Sequence, residues 1–243
     1  MKLILCGGGS GEQNILANKK LNEIIDNNKP ILYVPLAMDE KEHPYDKCYE
    51  WITEELKNVG KSGIDMVRSF KEFASKNFTD YGAIFIGGGN TYKLLKGLKE
   101  SGAFEKLKKY INNNGVIIGG SAGAVIFGKD INIISVMDVN DVKLDDTKGF
   151  DMITGISIFP HYTNAKSKLT EQENIKRHDI FTNYICEYSK NNGKVFAIPE
   201  EDAIYVNDDY IEIIGTRPYF ISENGNISEY QIENISIKDK NKI

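Results

Sequence analysis

The sequence of 243 residues predicts an α/β fold in which a mainly parallel sheet is sandwiched by helices. Two observations predict it. Short apolar runs alternate with segments of helical spacing along most of the chain. The apolar runs also lack the in–out alternation of a half-exposed strand, which indicates strands that are covered on both faces. In such a sheet we expect the ligand site beyond the carboxyl ends of the strands.

The first part of the chain repeats a strand-then-helix order. A strand at the N-terminus ends in three glycines, Gly7 to Gly9, and a helical stretch follows through about Ile25. After the second strand, YDKCYEWITEELKNVG has helical spacing and a glycine stop. The predicted strands of this part are, in order, KLIL, PILYVPLA and GIDMVRSF.

Two further units each combine a strand, a glycine turn and a helix. They are YGAIFIGGGNTYKLLKGLKESG and FEKLKKYINNNGVIIGGSAGAVIFG, the second of which begins with an additional helix and an Asn-Gly stop. GKVFAIPEEDAIYV predicts two more strands, and VNDDYIEIIG and FISENGNISEY predict hairpins near the end. A single domain over residues 1–243 is the simplest organisation, with a core at about 1–206 and C-terminal hairpins at about 203–235.

Composition excludes several functional classes. A net charge of -5 and the lack of a basic stripe give no reason to expect a nucleic-acid partner. No segment reaches the length of a membrane span, and the first apolar run is too short for a signal peptide, so we expect a cytoplasmic protein without a membrane partner. Cys6, Cys48 and Cys186 are scattered and form no CxxC, which implies neither a disulfide framework nor a zinc site.

The glycine clusters do not match the motifs of cofactor-binding loops. The cluster Gly7 to Gly9 would need a glycine at position 12 to complete G-x-G-x-x-G, and that position is Glu12. No cluster matches the phosphate-binding G-x-x-x-x-G-K-[ST] either. Histidines are sparse and H-E-x-x-H is absent, so the sequence predicts no metal and no cofactor.

One glycine cluster predicts a nucleophile. Gly119-Gly120-Ser121-Ala122-Gly123 matches G-x-S-x-G, the nucleophile elbow, between a strand and a helix as that motif requires. Small neighbours let the chain turn sharply, so that the Ser121 hydroxyl projects from the edge of the sheet. The turn also directs the Ala122 amide and the following helix N-terminus at one point, where they can stabilise an oxyanion.

A serine nucleophile needs a base, and the chain has three histidines. His161, in ISIFPHYTNAK, follows a strand-like run and a proline, which places it at a strand end on the edge expected for Ser121. His43 lies in a polar loop and His178 in a charged helical stretch, where exposed positions are expected. We therefore predict that His161 is the general base.

Five segments of the chain carry a family resemblance. In order, they are IFIGGGNTYKLL, GGSAGA, NDVKLDDTKGF, FPHYTN and AIPEEDAIYV. With the first strand, they cover the chain to about Val206. Together they resemble the dipeptidase E (alpha-aspartyl dipeptidase) family of serine peptidases and, more distantly, cyanophycinase. The resemblance implies a class I glutamine amidotransferase-like fold with a serine in place of the cysteine.

The resemblance also implies roles for single residues. It makes Ser121 the nucleophile and His161 the base. Glu200 matches a family glutamate assigned to a Ser-His-Glu triad, and Asp141 matches a family aspartate also proposed as essential. A carboxylate in the triad holds the imidazole in the right tautomer. We favour Glu200, with Asp141 as the alternative that would shape the site. The neighbouring carboxylates are predicted to be solvated loop charges: Asp138, Glu201 and Asp202.

The second glycine cluster then gains a role. Gly88 and Gly89 also lie between a strand and a helix, and only glycine lets a backbone approach the reacting carbonyl closely. We predict that an amide of Gly88 or Gly89 acts with that of Ala122 as an oxyanion donor. Asn90 is a good helix N-cap, which is sufficient reason for its side chain.

One departure from the family pattern concerns specificity. Aspartate-specific members carry an arginine shortly after the histidine, where the nearest matching position here is Glu171. A carboxylate cannot pair with an acidic substrate side chain. The cations that could replace the arginine are Lys166, Lys168, Lys176 and Arg177. The sequence therefore predicts hydrolysis of short peptides, either Asp-Xaa dipeptides or others, by a monomer or homodimer.

Two other classes stay open at this point. An esterase or amidase of the α/β-hydrolase kind shares G-x-S-x-G and requires the acid before the histidine, an order that Asp141 and His161 would satisfy. A binding protein without activity on the same scaffold would leave Ser121 unreactive towards a phosphonate or fluorophosphonate probe.

Overall fold

A computed structural model of the chain describes residues 1–164, 168–208, 210–215, 219–230 and 234–236. The described strands are β1 (Lys2–Cys6), β2 (Ile31–Val34), β3 (Ile64–Met66), β4 (Ala83–Ile86), β5 (Val116–Gly120), β6 (Ser157–Phe159), β7 (Val195–Ala197), β8 (Ala203–Asn207), β9 (Tyr210–Ile214), β10 (Tyr219–Glu223), β11 (Asn226–Tyr230) and β12 (Asn234–Ser236). The described α-helices are α1 (Ile15–Ile24), α2 (Tyr45–Glu55), α3 (Phe70–Ser75), α4 (Thr91–Ser101), α5 (Ala103–Asn112), α6 (Ala122–Val125) and α7 (Glu171–Asn192).

The main sheet has eight strands in the order β12-β9-β8-β1-β5-β4-β2-β3. Its β1, β5, β4, β2 and β3 run parallel, and β8, β9 and β12 add an antiparallel side. The predicted fold class, a mainly parallel sheet covered by helices, is confirmed. Cys6 pairs with Gly120, so β1 and β5 end at the same edge of the sheet.

Alternate residues of the parallel strands are buried in two separate cores, one on each face of the sheet. Ile117 faces a core with Leu94 of α4 and Leu107 of α5, whereas Ile118 faces a second core with Ile52 of α2. Helices on both faces explain why the strand sequences show no polar alternation. Fully burying one such aliphatic side chain stabilises the fold by about 1.5–3 kcal/mol.

A second sheet of four strands, in the order β11-β10-β7-β6, was not expected from the sequence. GKVFAIPEEDAIYV does contain two strands, but β7 belongs to this sheet and β8 to the main one. The loop between them crosses from one sheet to the other, and Ile198 N donates to Phe159 O at 2.8 Å. The crossing brings Glu200 to the carboxyl edge of the main sheet.

Both predicted hairpins are present, β8 with β9 and β10 with β11. The second turns at Asn224 and Gly225, whose φ angles are 50° and 84°. Two successive positive φ angles are typical of the Asn-Gly turn that matches the strand twist.

One helix is shorter than the sequence predicts. The helix expected over GAVIFG is limited to the four residues of α6, because the chain then turns and Gly128 N bonds Val125 O at 3.0 Å. In contrast, α7 has 22 residues and begins with a capping box of Thr170 and Glu173. Within the described ranges, no helix is long and apolar enough to cross a membrane.

Asn90 connects the start of α4 to the loop that carries Asp141. Its Oδ1 accepts from Lys93 N at 2.9 Å and its Nδ2 donates to Val139 O at 2.8 Å. We expect Asn90→Ala to lower the free energy of unfolding by about 1 kcal/mol, because an N-cap is lost. Urea denaturation would measure this. Asn90→Ser keeps the cap and removes only the loop contact, so stability as low as that of Asn90→Ala would contradict the capping role.

Candidate active site

Ser121 occupies a strained turn between β5 and α6. Its φ of 51° and ψ of -113° lie in a region that residues with a side chain rarely adopt. A Cβ added to Gly119 would meet Gly123 O at 2.2 Å, and one added to Gly123 would meet Ile86 O at 2.1 Å. The glycines on both sides are therefore required by close packing. This is the geometry that the nucleophile-elbow motif predicts.

His161 lies directly against Ser121. Its Nε2 is 2.7 Å from Ser121 Oγ. The residue follows β6 and has a φ of 57°, and its amide donates to Gly7 O at 2.9 Å. A Cβ on Gly8 would be 2.1 Å from the His161 ring, so the glycine at this position lets the imidazole pack on the loop after β1.

Glu200 contacts the other side of the imidazole, where its Oε2 is hydrogen bonded to His161 Nδ1. The backbone of Glu200 is fixed from two directions, since its amide donates to Thr163 O at 2.8 Å and its carbonyl accepts from Gly9 N at 2.8 Å. A proton on His161 Nδ1 satisfies the carboxylate and leaves Nε2 to accept from the Ser121 hydroxyl. Ser121, His161 and Glu200 thus form one hydrogen-bonded series.

Asp141 is not brought to this series. It is exposed in the turn after Val139, and among the described contacts the partner of His161 Nδ1 is Glu200. Nearby, Asp138 Oδ2 accepts from Thr91 N at 2.8 Å, which ties the loop to the start of α4.

The expectation that the neighbouring carboxylates are solvated loop charges is wrong for Asp202, which is 4% exposed. Its carbonyl accepts from Gly7 N, and its carboxylate packs so closely on Gly215 that a Cβ there would lie 2.3 Å from Oδ1. Asp138 and Glu201 are half-buried.

Three backbone amides near Ser121 are available for a ligand. Within the described residues, the amides of Gly88, Gly89 and Ala122 donate to no backbone carbonyl. A Cβ on Gly88 would lie 3.2 Å from Ser121 Cβ, so this glycine keeps the space beside the hydroxyl open. Gly89 has a φ of 130° and passes close to Ala37, which again requires a glycine.

A cavity of about 590 Å³ opens at Ser121 and His161. Its apolar wall includes Cys6, Tyr33, Met38, Cys48, Trp51, Phe85 and Ile118. Glu42, His43 and Lys47 lie exposed along its rim. The volume is that of a site for a small molecule. No single motif would have revealed these wall residues, because they come from strands and a helix far apart in the sequence.

Two thiols line the cavity, those of Cys6 and Cys48, and burial raises the pKa of both. For Cys6, burial raises the pKa to about 12, so its thiolate is scarcely populated. The part of the chain that the structure describes contains no cluster of three or more His, Cys, Asp or Glu side chains placed to bind a metal ion.

Of the cations proposed from the sequence, the three that the structure describes do not line this cavity. Arg177 Nη2 donates to His161 O at 2.5 Å, and the guanidinium lies 5.0 Å from the centre of the Phe181 ring. Arg177 and Glu171 line a different cavity, beside α7. Lys168 and Lys176 are exposed, and Lys166 lies outside the described residues.

Comparison with known proteins identifies relatives over most of the chain. The model of peptidase family S51 matches residues 3–214. Peptidase E of Haemophilus influenzae strain Rd is 26% identical over 212 residues, which cover 86% of this chain and 88% of that protein. A second peptidase E, from H. influenzae strain PittGG, is 25% identical over 231 residues, covering 90% of this chain and 87% of that protein.

Solved structures show the same fold. A peptidase E candidate from Listeria monocytogenes EGD-e aligns with a TM-score of 0.65 at 22% identity, over 89% of this chain and 98% of that one. A peptidase from an acI-B1 Actinobacterium aligns with a TM-score of 0.62 at 18% identity, over 97% of this chain and 96% of that one.

Proposed function

Because the chain belongs to peptidase family S51, and is thereby a peptidase of the serine type, we propose that Ser121, His161 and Glu200 are its catalytic triad. The substrates that we propose are short peptides. The observation that carries the proposal is the hydrogen-bonded series from Ser121 Oγ through His161 to Glu200 at the mouth of a cavity. We assign the third position of the triad to Glu200 rather than to Asp141.

The first step forms an acyl-enzyme. His161 Nε2 accepts the Ser121 proton as Oγ attacks the peptide carbonyl carbon. Glu200 stabilises the imidazolium through Nδ1 without itself taking the proton. Collapse of the tetrahedral intermediate breaks the C–N bond, and His161 gives its proton to the leaving amine.

The amides beside Ser121 stabilise the oxyanion. We assign one donor to Ala122, the residue after the nucleophile, and the other to Gly88 or Gly89. These groups are fixed by packing before substrate arrives, so little reorganisation accompanies the reaction. Loss of one such donor typically costs about 10²–10³ in rate.

The second step hydrolyses the ester. Water attacks the acyl carbonyl while His161 Nε2 takes its proton, and the same amides hold the second oxyanion. The proton then returns to Ser121 Oγ as the acid product leaves.

A short peptide fits the site better than a folded protein. A cavity of about 590 Å³ accepts a small molecule, and the relatives are named peptidase E. The resemblance implies Asp-Xaa dipeptides. Among the described residues that line the cavity, however, Lys47 is the one lysine or arginine, and it lies exposed at the rim. We therefore extend the proposal to dipeptides in general.

Labelling with a fluorophosphonate probe tests the assignment of the nucleophile. We expect one covalent adduct, located on Ser121 by peptide mass spectrometry. Protein that is denatured before the probe is added should not be labelled. Pre-incubation with a cleavable dipeptide should slow the labelling. An absence of labelling would favour the binding protein without activity, and an adduct on another serine would refute the proposed triad.

A further inference from the structure

We propose that the cavity at Ser121 selects an aromatic or large apolar side chain on the residue that is acylated, and that it excludes an acidic one. This inference rests on the proposed function for the role of Ser121. The residues that form the wall of the same cavity indicate this class of substrate.

The floor of the cavity is a row of neighbouring residues on one face of the main sheet. Tyr33 pairs with Phe85, and Phe85 pairs with Ile118 in the parallel register. The Tyr33 and Phe85 rings meet edge to face, with centroids 5.7 Å apart and planes at 72°. Both side chains are nearly inaccessible, so the floor is rigid and apolar.

Trp51 of α2 completes the aromatic cluster at the mouth of the cavity. Its ring centroid is 6.3 Å from that of Tyr33 and 6.2 Å from that of Phe85. Unlike those two residues, Trp51 is 40% exposed. A large aromatic surface thus stays open to solvent inside a substrate cavity, where a second ring can stack on it.

The charges around the cavity oppose an acidic side chain. Lys47 is an exposed residue of the rim, and its Nζ is 2.7 Å from Glu50 Oε2. Glu42 adds a negative charge to the same rim. A carboxylate on the aromatic floor would be desolvated without a buried cation among the described lining residues, which is strongly unfavourable. An apolar side chain gains from the same desolvation.

Gly8 and Gly9, after β1, also line the cavity, and strand order assigns its aromatic part to the acyl side of the scissile bond. The ring of His161 packs on Gly8, after β1, whereas Phe85 and Tyr33 belong to β4 and β2. Ser121 follows β5, which lies between β1 and β4 in the sheet. The leaving amine takes its proton from His161 and departs on the β1 side. The acylated residue, which is the first residue of a dipeptide, therefore lies over the aromatic cluster.

The chain contains one tryptophan, Trp51, so its emission reports on the cavity. We would titrate the Ser121→Ala variant, which cannot be acylated, with Phe-Ala, Ala-Phe, Ala-Ala and Asp-Ala. Phe-Ala is expected to change the emission saturably and to bind about tenfold more tightly than the other three peptides. Tighter binding of Asp-Ala or Ala-Phe, equal binding of all four, or unchanged emission with Phe-Ala would overturn the proposal.

Kinetics of variants provide a second readout. Trp51→Ala is expected to lower kcat/KM about tenfold more for Phe-Ala than for Ala-Ala, with recovery in Trp51→Phe. Tyr49→Ala is the matched control, because Tyr49 is 39% exposed on the same helix and does not line the cavity. Equal losses for both peptides in Trp51→Ala would refute the specificity role.

The two proposals can fail separately. Wild-type protein that cleaves Asp-Ala in preference to Phe-Ala, with the cleavage lost in Ser121→Ala, would refute only the specificity. Tight Phe-Ala binding to a chain whose Ser121 neither reacts with the fluorophosphonate nor cleaves any peptide would refute only the proposed function.

Discussion

Replacement of Ser121 by alanine is expected to lower kcat/KM for dipeptide hydrolysis by at least about 10⁴-fold. The hydroxyl that His161 Nε2 contacts at 2.7 Å would be missing, and no other described hydroxyl is bonded to the imidazole. The oxyanion amides remain, so only the residual rate from binding and electrostatics should persist. The rate of amine release from a panel of dipeptides, compared between the wild type and the variant, would measure the loss.

Ser121→Gly controls for the strained backbone. A φ of 51° with a ψ of -113° suits glycine better than alanine or serine. We expect Ser121→Gly to be as inactive as Ser121→Ala and more stable by about 1 kcal/mol in denaturant unfolding. Retention of activity in either variant would refute Ser121 as the nucleophile.

Glu200→Gln is expected to lower kcat by about 10³–10⁴-fold with little change in stability. The amide of glutamine can donate to Nδ1, which moves the imidazole proton to Nε2 and removes the acceptor that Ser121 needs. The loss should therefore fall on kcat more than on KM. Steady-state kinetics with the best dipeptide of the panel would separate the two parameters.

Asp141→Asn is the matched comparison, because it removes the charge of the other carboxylate predicted from the sequence. Asp141 is exposed and has no described contact with His161, so we expect a change of less than about threefold in kcat/KM. A large loss in Asp141→Asn with normal activity in Glu200→Gln would reverse the assignment. That result would restore the order serine, acid, histidine and with it the esterase or amidase alternative.

Local sequence determined the nucleophile turn. The strand, the small residues around Ser121 and the start of α6 are all set by sterics over a few consecutive positions, and the structure has the expected geometry there. The length of α6 was overestimated, because its end depends on the contact of Gly128 with β6, which is distant in the sequence.

The choice between Glu200 and Asp141 as the partner of His161 depended on tertiary structure. Both follow apolar segments and both match family carboxylates. The resemblance favoured Glu200, but neither pattern nor charge separates the two. The crossing of the chain from β7 to β8, between two sheets, brings the Glu200 carboxylate to His161, while the loop of Asp141 is held at the start of α4. No sequence pattern indicated a second sheet.

The sequence by itself determined the fold class, the turn that presents Ser121, and His161 as the histidine at a strand end, because these follow from local periodicity, glycine sterics and the scarcity of histidine. Tertiary structure alone decided which carboxylate meets the imidazole and which side chains line the cavity. Tyr33, Trp51 and Phe85 are brought together by parallel strand register and by the packing of α2 on the sheet. Such contacts between distant segments depend on the complete fold, and no short stretch of sequence specifies them.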